Sequence, residues 1–348
     1  MLNICMKITD VRALQPIGEN SPPDWRTSLG QILVAVDTDC GITGYGVGGG
    51  GLSGMHVVRT VLRDLLLGKN PEEIAQLWTD MYQATLAFGR KGIAVMAISG
   101  VDLALWDLRG KAENLPVVAL LGGSPGERIP TYHTVWDNQG LSSASEHSGF
   151  KLHLGKVSDP VQQEVIISSI EQARLQMGTD RLLMVDAWMK WDVDSTISIS
   201  REIAAFQIEW IEEPLSPDDL VGYAILKEKS AVPIAGGEHE FTSAAFGPLI
   251  RHKLHSVLQP DVCWCGGLTE LIKIYTMANE ADLRVCPHRG CEIWALHAIA
   301  ALDPQPLAET GRPWMTWVEG QPEIQKGTIE LSERPGFGLT FDEHTLKH

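Results

Sequence analysis

From Ile129 onward the chain repeats one unit, a short β-like run followed by a helical stretch, at steps of about 25 residues. Eight such runs can be read: IPTYHTV, GFKLHL, RLLMVDA, IEWIEEP, VPIAGGE, HSVLQPD, LRVCPH and PLAE. Strands alternating with helices in this way are the pattern of a parallel (β/α) barrel, an α/β architecture in which reactive groups sit at the C-terminal ends of the strands. The polar residue that closes each run is therefore the informative one. These are Lys151 and His153, Asp186, Glu212, Glu238, Asp261, His288 and Glu309, and in a barrel they converge on one mouth.

Asp186, Glu212 and Glu238 close three successive runs, 26 residues apart each time. Side by side at the mouth they offer three oxygen ligands to one hard divalent cation, for which Mg²⁺ fits best. A single strand-end carboxylate is as readily explained by solvation or a Lys partner; three in register weaken that explanation. Asp261 and His288 follow, 27 residues apart. An Asp that accepts from one imidazole nitrogen fixes the tautomer and makes the other nitrogen a general base or acid. Lys151 and His153 alternate on one strand and so share a face. Lys151 is expected to face a substrate carboxylate or to pair with a carboxylate such as Glu212, and Glu309 to hydrogen-bond opposite the metal or to form a surface salt bridge.

Residues 1–125 follow a different rhythm. MKITDVRALQP and QILVAVDTDCGITGYGVG read as antiparallel strands with a turn at Asp39–Gly41, and apolar residues recur at helical spacing over 56–67, 72–88 and from Ala94 to Pro116. This makes an α+β segment of 1–125, ahead of a barrel over 126–319. The stretch from about 320 to 348 alternates like short strands and is expected to pack back on the first segment. Gly46–Gly51 has no Lys-Ser/Thr pair at the Walker position, so it is a lid near the mouth or a plain surface loop rather than a phosphate loop.

Charge narrows the function further. The formal net charge is −16, which argues against nucleic acid or an anionic membrane as partner. No run approaches the roughly 18 apolar residues of a membrane span, and MLNICMK lacks a signal-peptide pattern, so a cytoplasmic location is expected. The six cysteines form no CxxC pair and read as free, mostly buried thiols.

AISGVDLALWDLRGKAENLPVVALLGG, VDAWMKWD, WIEEPLSPDD, GGEHE, QPDVCWCGGLTE and PH together resemble the mandelate racemase branch of the enolase superfamily, over nearly the whole chain. Within that branch, ATLAFGRKG, GEHEFTSAAF and LQPDVCWCGGLTELIKI are most similar to the rhamnonate dehydratase subgroup. The resemblance implies a modified (β/α)7β TIM-like barrel under an N-terminal α+β capping domain, Mg²⁺ on Asp186, Glu212 and Glu238, and a His288–Asp261 dyad. It also implies substrate contacts from Trp25, Arg26, Trp188 and His239, and by analogy a homo-oligomer. Where many relatives carry Lys-x-Lys, this chain has Lys151, Leu152, His153, so the usual second Lys base is absent; after His288 it reads RGCEIWALH.

The reaction expected is Mg-dependent dehydration of an acid sugar: removal of the proton α to a carboxylate, then loss of the β-hydroxyl to give a 2-keto-3-deoxy acid. A racemase or epimerase would need a second base, for which His153 is the candidate. A non-catalytic sugar-acid binder would need no acid–base pair.

Overall fold

The computed structural model describes residues 6–15, 30–138, 140–143, 146–310, 318–341 and 343. Trp25 and Arg26 lie outside them. Three antiparallel strands open the fold in the order β1 (Ile8–Leu14), β2 (Ile32–Thr38) and β3 (Thr43–Gly48). The β2–β3 turn is closed by Gly41 N–H donating to Thr38 O at 3.1 Å, with Gly41 at φ 79°, where a side chain would be strained.

A helical stretch follows as α1 (Gly51–Val57), a π-helical turn (Val58–Leu62) and α2 (Arg63–Leu66). Then come α3 (Ile74–Gly89) and α4 (Ile93–Glu113). Helix α4 is buried on nearly every side, from Ala94 to Gly110, because it lies between the sheet and the rest of the molecule. That position explains the glycine run. A Cβ on Gly44, Gly46 or Gly48 would lie 2.1, 2.2 or 2.4 Å from the carbonyl oxygens of Ala104, Gly100 or Met96. The run is thus buried rather than a surface loop, and it reaches the mouth, since a Cβ on Gly49 would lie 3.2 Å from Trp264 Nε1. Its strand part, Gly46 and Gly48 with Gly44 before them, is a face stripped of side chains so that a helix backbone can lie directly on it.

After a short α5 (Val117–Leu120) the barrel strands appear where the sequence places them. They are β4 (Arg128–Val135), β5 (Gly149–His153), β6 (Leu182–Asp186), β7 (Ile208–Glu212), β8 (Ile234–Gly236), β9 (Val257–Leu258), β10 (Arg284–Val285) and β11 (Ala308–Thr310). Each pairs in parallel with the next from β4 to β10, and β11 returns to lie parallel beside β4. Between them run α6 (Gly140–Ser143), α7 (Pro160–Met177), α8 (Val193–Ile203), α9 (Leu220–Lys229), α10 (Thr242–Arg251), α11 (Leu268–Glu280) and α12 (Ile293–Leu302), giving the (β/α)7β barrel. Strand alternation sorts the side chains. Phe150, Leu152, Leu183, Val185 and Ile211 belong to the large outer core, while Tyr132, Met184, Trp210, Ala235, Val257, Cys286 and Leu307 form a separate buried cluster. Two residues past Tyr132, Met184 and Trp210 stand Thr134, Asp186 and Glu212, and on β5 His153 stands two past buried Lys151.

The chain's last stretch divides between two places. The hairpin of β12 (Ile324–Gln325) and β13 (Thr328–Glu330) pairs antiparallel with Arg128–Pro130 of β4, supplying partners to backbone that neither β5 nor β11 reaches. Described residues beyond it lie against the first segment. Phe337 N–H donates to Asp107 at 2.8 Å, and Glu343 accepts from Tyr45 Oη at 2.8 Å and from Arg12.

Elsewhere the capping segment grips the barrel through the CGGLTE stretch. Trp78 Nε1 donates to Gly266 O at 2.7 Å, Gly266 N–H donates to Ser99 Oγ at 2.9 Å, and buried Asp102 accepts from Thr269 N–H and Oγ1 at 2.9 and 2.5 Å. Lys91 reaches Glu240 at 2.8 Å, two residues past Glu238. Of the cysteines described, Cys263, Cys265, Cys286 and Cys291 are buried free thiols and Cys40 is exposed.

Two stability outcomes follow. Gly46→Ala collides with helix backbone and should cost at least about 2 kcal/mol in urea unfolding, whereas Gly155→Ala, whose Cβ meets nothing within 4 Å, should stay within about 0.5 kcal/mol of the parent; equal midpoints would refute the packing argument. Buried His297 accepts from Val118 N–H at 2.9 Å, and burial pushes its pKa down from 6.5 to about 3. The folded imidazole stays neutral while the unfolded one takes a proton below its ordinary pKa. Stability tied to His297 is therefore complete above pH 6.5 and lost as pH falls toward 3. Between pH 6.5 and 4, wild type should lose about 1.4 kcal/mol per pH unit more than His297→Gln; parallel pH curves would contradict this.

Candidate active site

The strand ends deliver their polar residues to a shared, almost dry mouth. Asp186 and Glu212 end β6 and β7, Glu238 lies two residues past β8, and Asp261 and His288 each follow their strand by three. Lys151, Asp186, Glu212, Asp261 and Glu309 are each no more than 1% exposed, His288 2% and Glu238 4%. Burying this many carboxylates is costly unless each meets a cation or a donor.

Lys151 is the first compensating charge. Its Nζ donates to Glu212 Oε1 at 2.6 Å, lies 3.0 Å from Glu309 Oε1 and 3.8 Å from Asp186 Oδ2. The carboxylate-pairing reading of Lys151 therefore describes this geometry. Glu309 also accepts from Thr134 Oγ1 at 2.5 Å and from Arg289 N–H at 2.9 Å, so it is a buried junction rather than a surface salt bridge. Glu212 Oε2 accepts from Gln259 Nε2 at 2.6 Å. Burial nonetheless pushes the pKa of Glu212 up to about 7, against the pull of Lys151.

His153, at the end of β5, is engaged on both sides of its ring. It donates from Nδ1 to Asp186 Oδ2 at 3.1 Å and accepts at Nε2 from Lys190 Nζ at 3.1 Å. Both ring nitrogens are engaged, which leaves neither for a substrate proton in this arrangement. Asp186 Oδ1 in turn accepts from Trp188 N–H at 2.9 Å, where the chain turns through positive φ at Trp188 and Met189 (44° and 61°).

Glu213, His239 and Glu238 come together on the next sector. His239 Nδ1 donates to Glu213 Oε2 at 2.6 Å, and its Nε2 lies 3.6 Å from Glu238 Oε1. Burial works against protonating His239, but Glu213 and Glu238 raise its pKa to about 9. Among the described residues these three bring ligand atoms within 4.8 Å of one another, whereas Asp186 and Glu212 are gathered around Lys151. Glu213, immediately after Glu212 at φ 35°, was not singled out in the sequence; the IEE doublet is its only trace.

The remaining sector holds the dyad. His288 Nδ1 donates to Asp261 Oδ2 at 2.8 Å. Its Nε2 approaches Glu238 Oε2 to 3.3 Å, yet both atoms are buried without a hydrogen-bond partner. Burial raises the Glu238 pKa to about 7, while Arg289 and His288 overcome burial to hold Asp261 down at about 2. Gln259 and Lys190 complete the setting and were missed in the sequence. Gln259 had a signal, standing two residues before Asp261 and hence on the same face; Lys190, on a loop, had none.

The donor chemistry suits a hard cation. Asp186, Glu212 and Glu238 present only oxygens, on adjacent strands, and Glu238 Oε2 is an anionic acceptor with no donor of its own. Around this centre runs an arc of alternating rings, Trp136, His153, Trp188, His239, Trp264 and His288, with centroids 5.9–6.3 Å apart. Trp136 and Trp188 are 55% and 41% exposed, so the rim offers apolar faces above an acidic floor.

Comparison with known proteins agrees with this layout. The family model described as "Enolase C-terminal domain-like" matches residues 134–345, and that of the mandelate racemase / muconate lactonizing enzyme N-terminal domain matches 26–122. The chain is 34% identical over 345 residues to an L-rhamnonate dehydratase of Saccharopolyspora erythraea, covering 92% of this chain and 87% of that one. A rhamnonate dehydratase structure from Gibberella zeae complexed with Mg superimposes with a TM-score of 0.91 at 28% identity, covering 99% and 97% of the two chains. An L-talarate dehydratase from Polaromonas sp. JS666, complexed with Mg and L-glucarate, gives 0.86 at 30% identity, covering 98% and 96%.

Removing Lys151 tests the charge balance of the floor. Lys151→Met strands Glu212 and Glu309 without their cation, and the loss should be about 3–5 kcal/mol in chemical unfolding, with no Mg²⁺ present. An unchanged midpoint would mean that the ammonium contributes nothing to holding these carboxylates.

Proposed function

We propose that this chain, which belongs to the mandelate racemase / muconate lactonizing enzyme family, is a magnesium-dependent acid sugar dehydratase, a hydro-lyase acting on an aldonic acid of the L-rhamnonate type. The observation that carries the reading is the unequal state of the two mouth imidazoles. His288 is held at Nδ1 by Asp261 with Nε2 turned to the carboxylate cluster, whereas His153 is occupied at both nitrogens.

Asp186, Glu212 and Glu238 would hold Mg²⁺. When bound, it supplies Lewis acidity toward the substrate carboxylate, which makes the adjacent C–H more acidic. Lys151, fixed against Glu212 and Glu309, adds positive charge beneath that carboxylate. His288 takes the C2 proton at Nε2, and Asp261 stabilises the imidazolium through Nδ1–H. The electron pair left at C2 then forms the C2–C3 double bond as the C3–O bond breaks. His288 returns its proton to the departing hydroxyl, and water leaves. The enol formed in this way tautomerises to a 2-keto-3-deoxy acid. A single imidazole reaches one face of the substrate, so the elimination is syn.

Racemisation needs a base on each face, and the engagement of His153 by Asp186 and Lys190 speaks against that alternative. The same reading takes the protein as cytoplasmic and homo-oligomeric, with neither nucleic acid nor membrane as partner. The net charge of −16 speaks against nucleic acid and anionic membrane surfaces as partners, and among the described residues no helix is long and apolar enough to cross a membrane.

The test is a turnover screen of free acid sugars with Mg²⁺, beginning with L-rhamnonate, L-lyxonate and L-mannonate, alongside the matching lactones, which should not react. Glu212→Gln should fold and lose at least about 10³-fold in kcat. His288→Asn should lose dehydration and also exchange of the C2 proton with solvent deuterium, each by about 10²–10⁴-fold. Full turnover in excess chelator, anti elimination, or exchange that survives in His288→Asn would overturn the mechanism.

A further inference from the structure

Arg289 is the buried cation that this mechanism leaves unused, and its contacts give it a part. It follows His288 directly and is 3% exposed. Its Nε donates to Asp261 Oδ2 at 3.0 Å and its second terminal nitrogen lies 3.3 Å from Asp261 Oδ1. The other terminal nitrogen lies 3.6 Å from Glu292 Oε2, and the guanidinium stands over the Trp264 ring, 5.8 Å from its centroid. Its backbone N–H donates to Glu309 Oε2 at 2.9 Å.

The backbone conformation shows how much is asked of this residue. Arg289 sits at φ 54°, a left-handed conformation that a long side chain adopts at a cost and keeps only when its surroundings over-determine it. Here they do. The backbone must aim N–H at Glu309, and the side chain must turn back onto Asp261 from the opposite side to His288.

Asp261 consequently has two donors on each oxygen. Oδ2 accepts from His288 Nδ1 and Arg289 Nε, while Oδ1 accepts from Cys263 N–H at 2.8 Å and faces the Arg289 terminal nitrogen. A carboxylate held on one edge by a planar fork cannot rotate about its Cβ–Cγ bond without breaking both contacts. The oxygen offered to His288 therefore stays in place, and with it the plane of the imidazole and the direction of Nε2.

We propose that Arg289 is a positioning residue for proton transfer: it locks the Asp261 carboxylate so that the His288 Nε2 lone pair points at substrate C2, and its backbone N–H ties that dyad to the Glu309–Lys151 side of the mouth. The inference rests on reading His288 and Asp261 as the acid–base pair. It assigns Arg289 no contact with substrate, because its fork is already committed to Asp261. Arginine is required rather than lysine, since a point-like ammonium cannot engage two carboxylate oxygens in one plane.

Arg289→Gly separates side chain from backbone. Glycine is at ease at this φ and keeps the N–H to Glu309, so only the guanidinium is lost. The expected result is a fall in kcat of about 10–100-fold with KM within about twofold of the parent. Added guanidinium chloride at low, non-denaturing concentration should recover part of the loss, and Arg289→Lys should remain well below wild type. A purely structural role would lower the amount of folded enzyme and would not be reversed by guanidinium.

A second readout needs no turnover. In protein labelled with ¹⁵N-histidine, the Nδ1–H signal of His288, assigned by its loss in Asp261→Asn, should be sharp in wild type. It should be broadened or absent in Arg289→Met, a variant that also serves if the glycine variant folds poorly. Wild-type kcat in Arg289→Gly, or an unaltered His288 Nδ1–H signal in Arg289→Met, overturns the proposal. If wild type turns over no acid sugar, the proposed function fails by itself, and the imidazole signal still decides whether Arg289 holds the dyad.

Discussion

Six carboxylates buried around one opening, Asp186, Glu212, Glu213, Glu238, Asp261 and Glu309, set the constraint that the rest of the molecule answers. Isolated, each would neutralise itself or unfold its surroundings. The chain answers with two buried cations placed on opposite sides. Lys151 gathers Glu212, Glu309 and the more distant Asp186, and Arg289 holds Asp261. Glu238, between these two groups, is ion-paired among the described residues only with the imidazoles of His239 and His288, and Glu213 lies beside it. The carboxylate left least compensated by protein is thus the one central to the carboxylate arc, which is where a divalent cation would be bound most favourably.

The capping segment serves the same end from above. Trp78, Ser99, Asp102 and Trp106 all meet Gly266–Thr269, the turn that begins α11 only five residues past Asp261. Gly267 at φ 84° has no room for a Cβ, which would lie 2.4 Å from Asp102 Oδ2. Loops that carry functional groups are ordinarily the mobile part of a barrel. Here the Asp261 loop is clamped between its strand and a buried helix, and the Lys91–Glu240 pair does the same for the Glu238 loop. Precision at the mouth is inherited from packing in the cap.

What could be read from sequence was what repeats. Strand periodicity placed Asp186, Glu212 and Glu238 at successive strand ends because each barrel step consumes a similar length of chain, and the same spacing reached Asp261 and His288. Alternation on a strand put Lys151 and His153 on one face. The glycines of β3 were misjudged because a glycine-rich run signals only that side chains are absent; whether a loop moves there or a helix backbone approaches depends on α4, some fifty residues away. The surroundings of His153 were out of reach for a related reason. Its engagement depends on Lys190, which lies on a loop where no period constrains direction. Arg289 and Glu213 share the difficulty, both owing their aim to positive φ, which reverses a side chain without leaving a pattern in the sequence.

These irregular residues are also what make the site asymmetric. His153 and His288 face the same carboxylate arc, each hydrogen-bonded through Nδ1 to an aspartate. On that account alone they would be equivalent bases on two sides of a substrate, as an isomerase requires. The difference is made one contact further out. Lys190 reaches past Asp186 to occupy the far nitrogen of His153, while Arg289 approaches Asp261 from behind and leaves the far nitrogen of His288 without a donor, facing Glu238 Oε2 at 3.3 Å. A cation placed on the imidazole removes a base, whereas a cation placed on its aspartate preserves one. From one pattern of strand-end residues, the proposed mechanism thus makes the choice between returning the proton to C2 and delivering it to a leaving hydroxyl depend on which partner each of two loop cations holds.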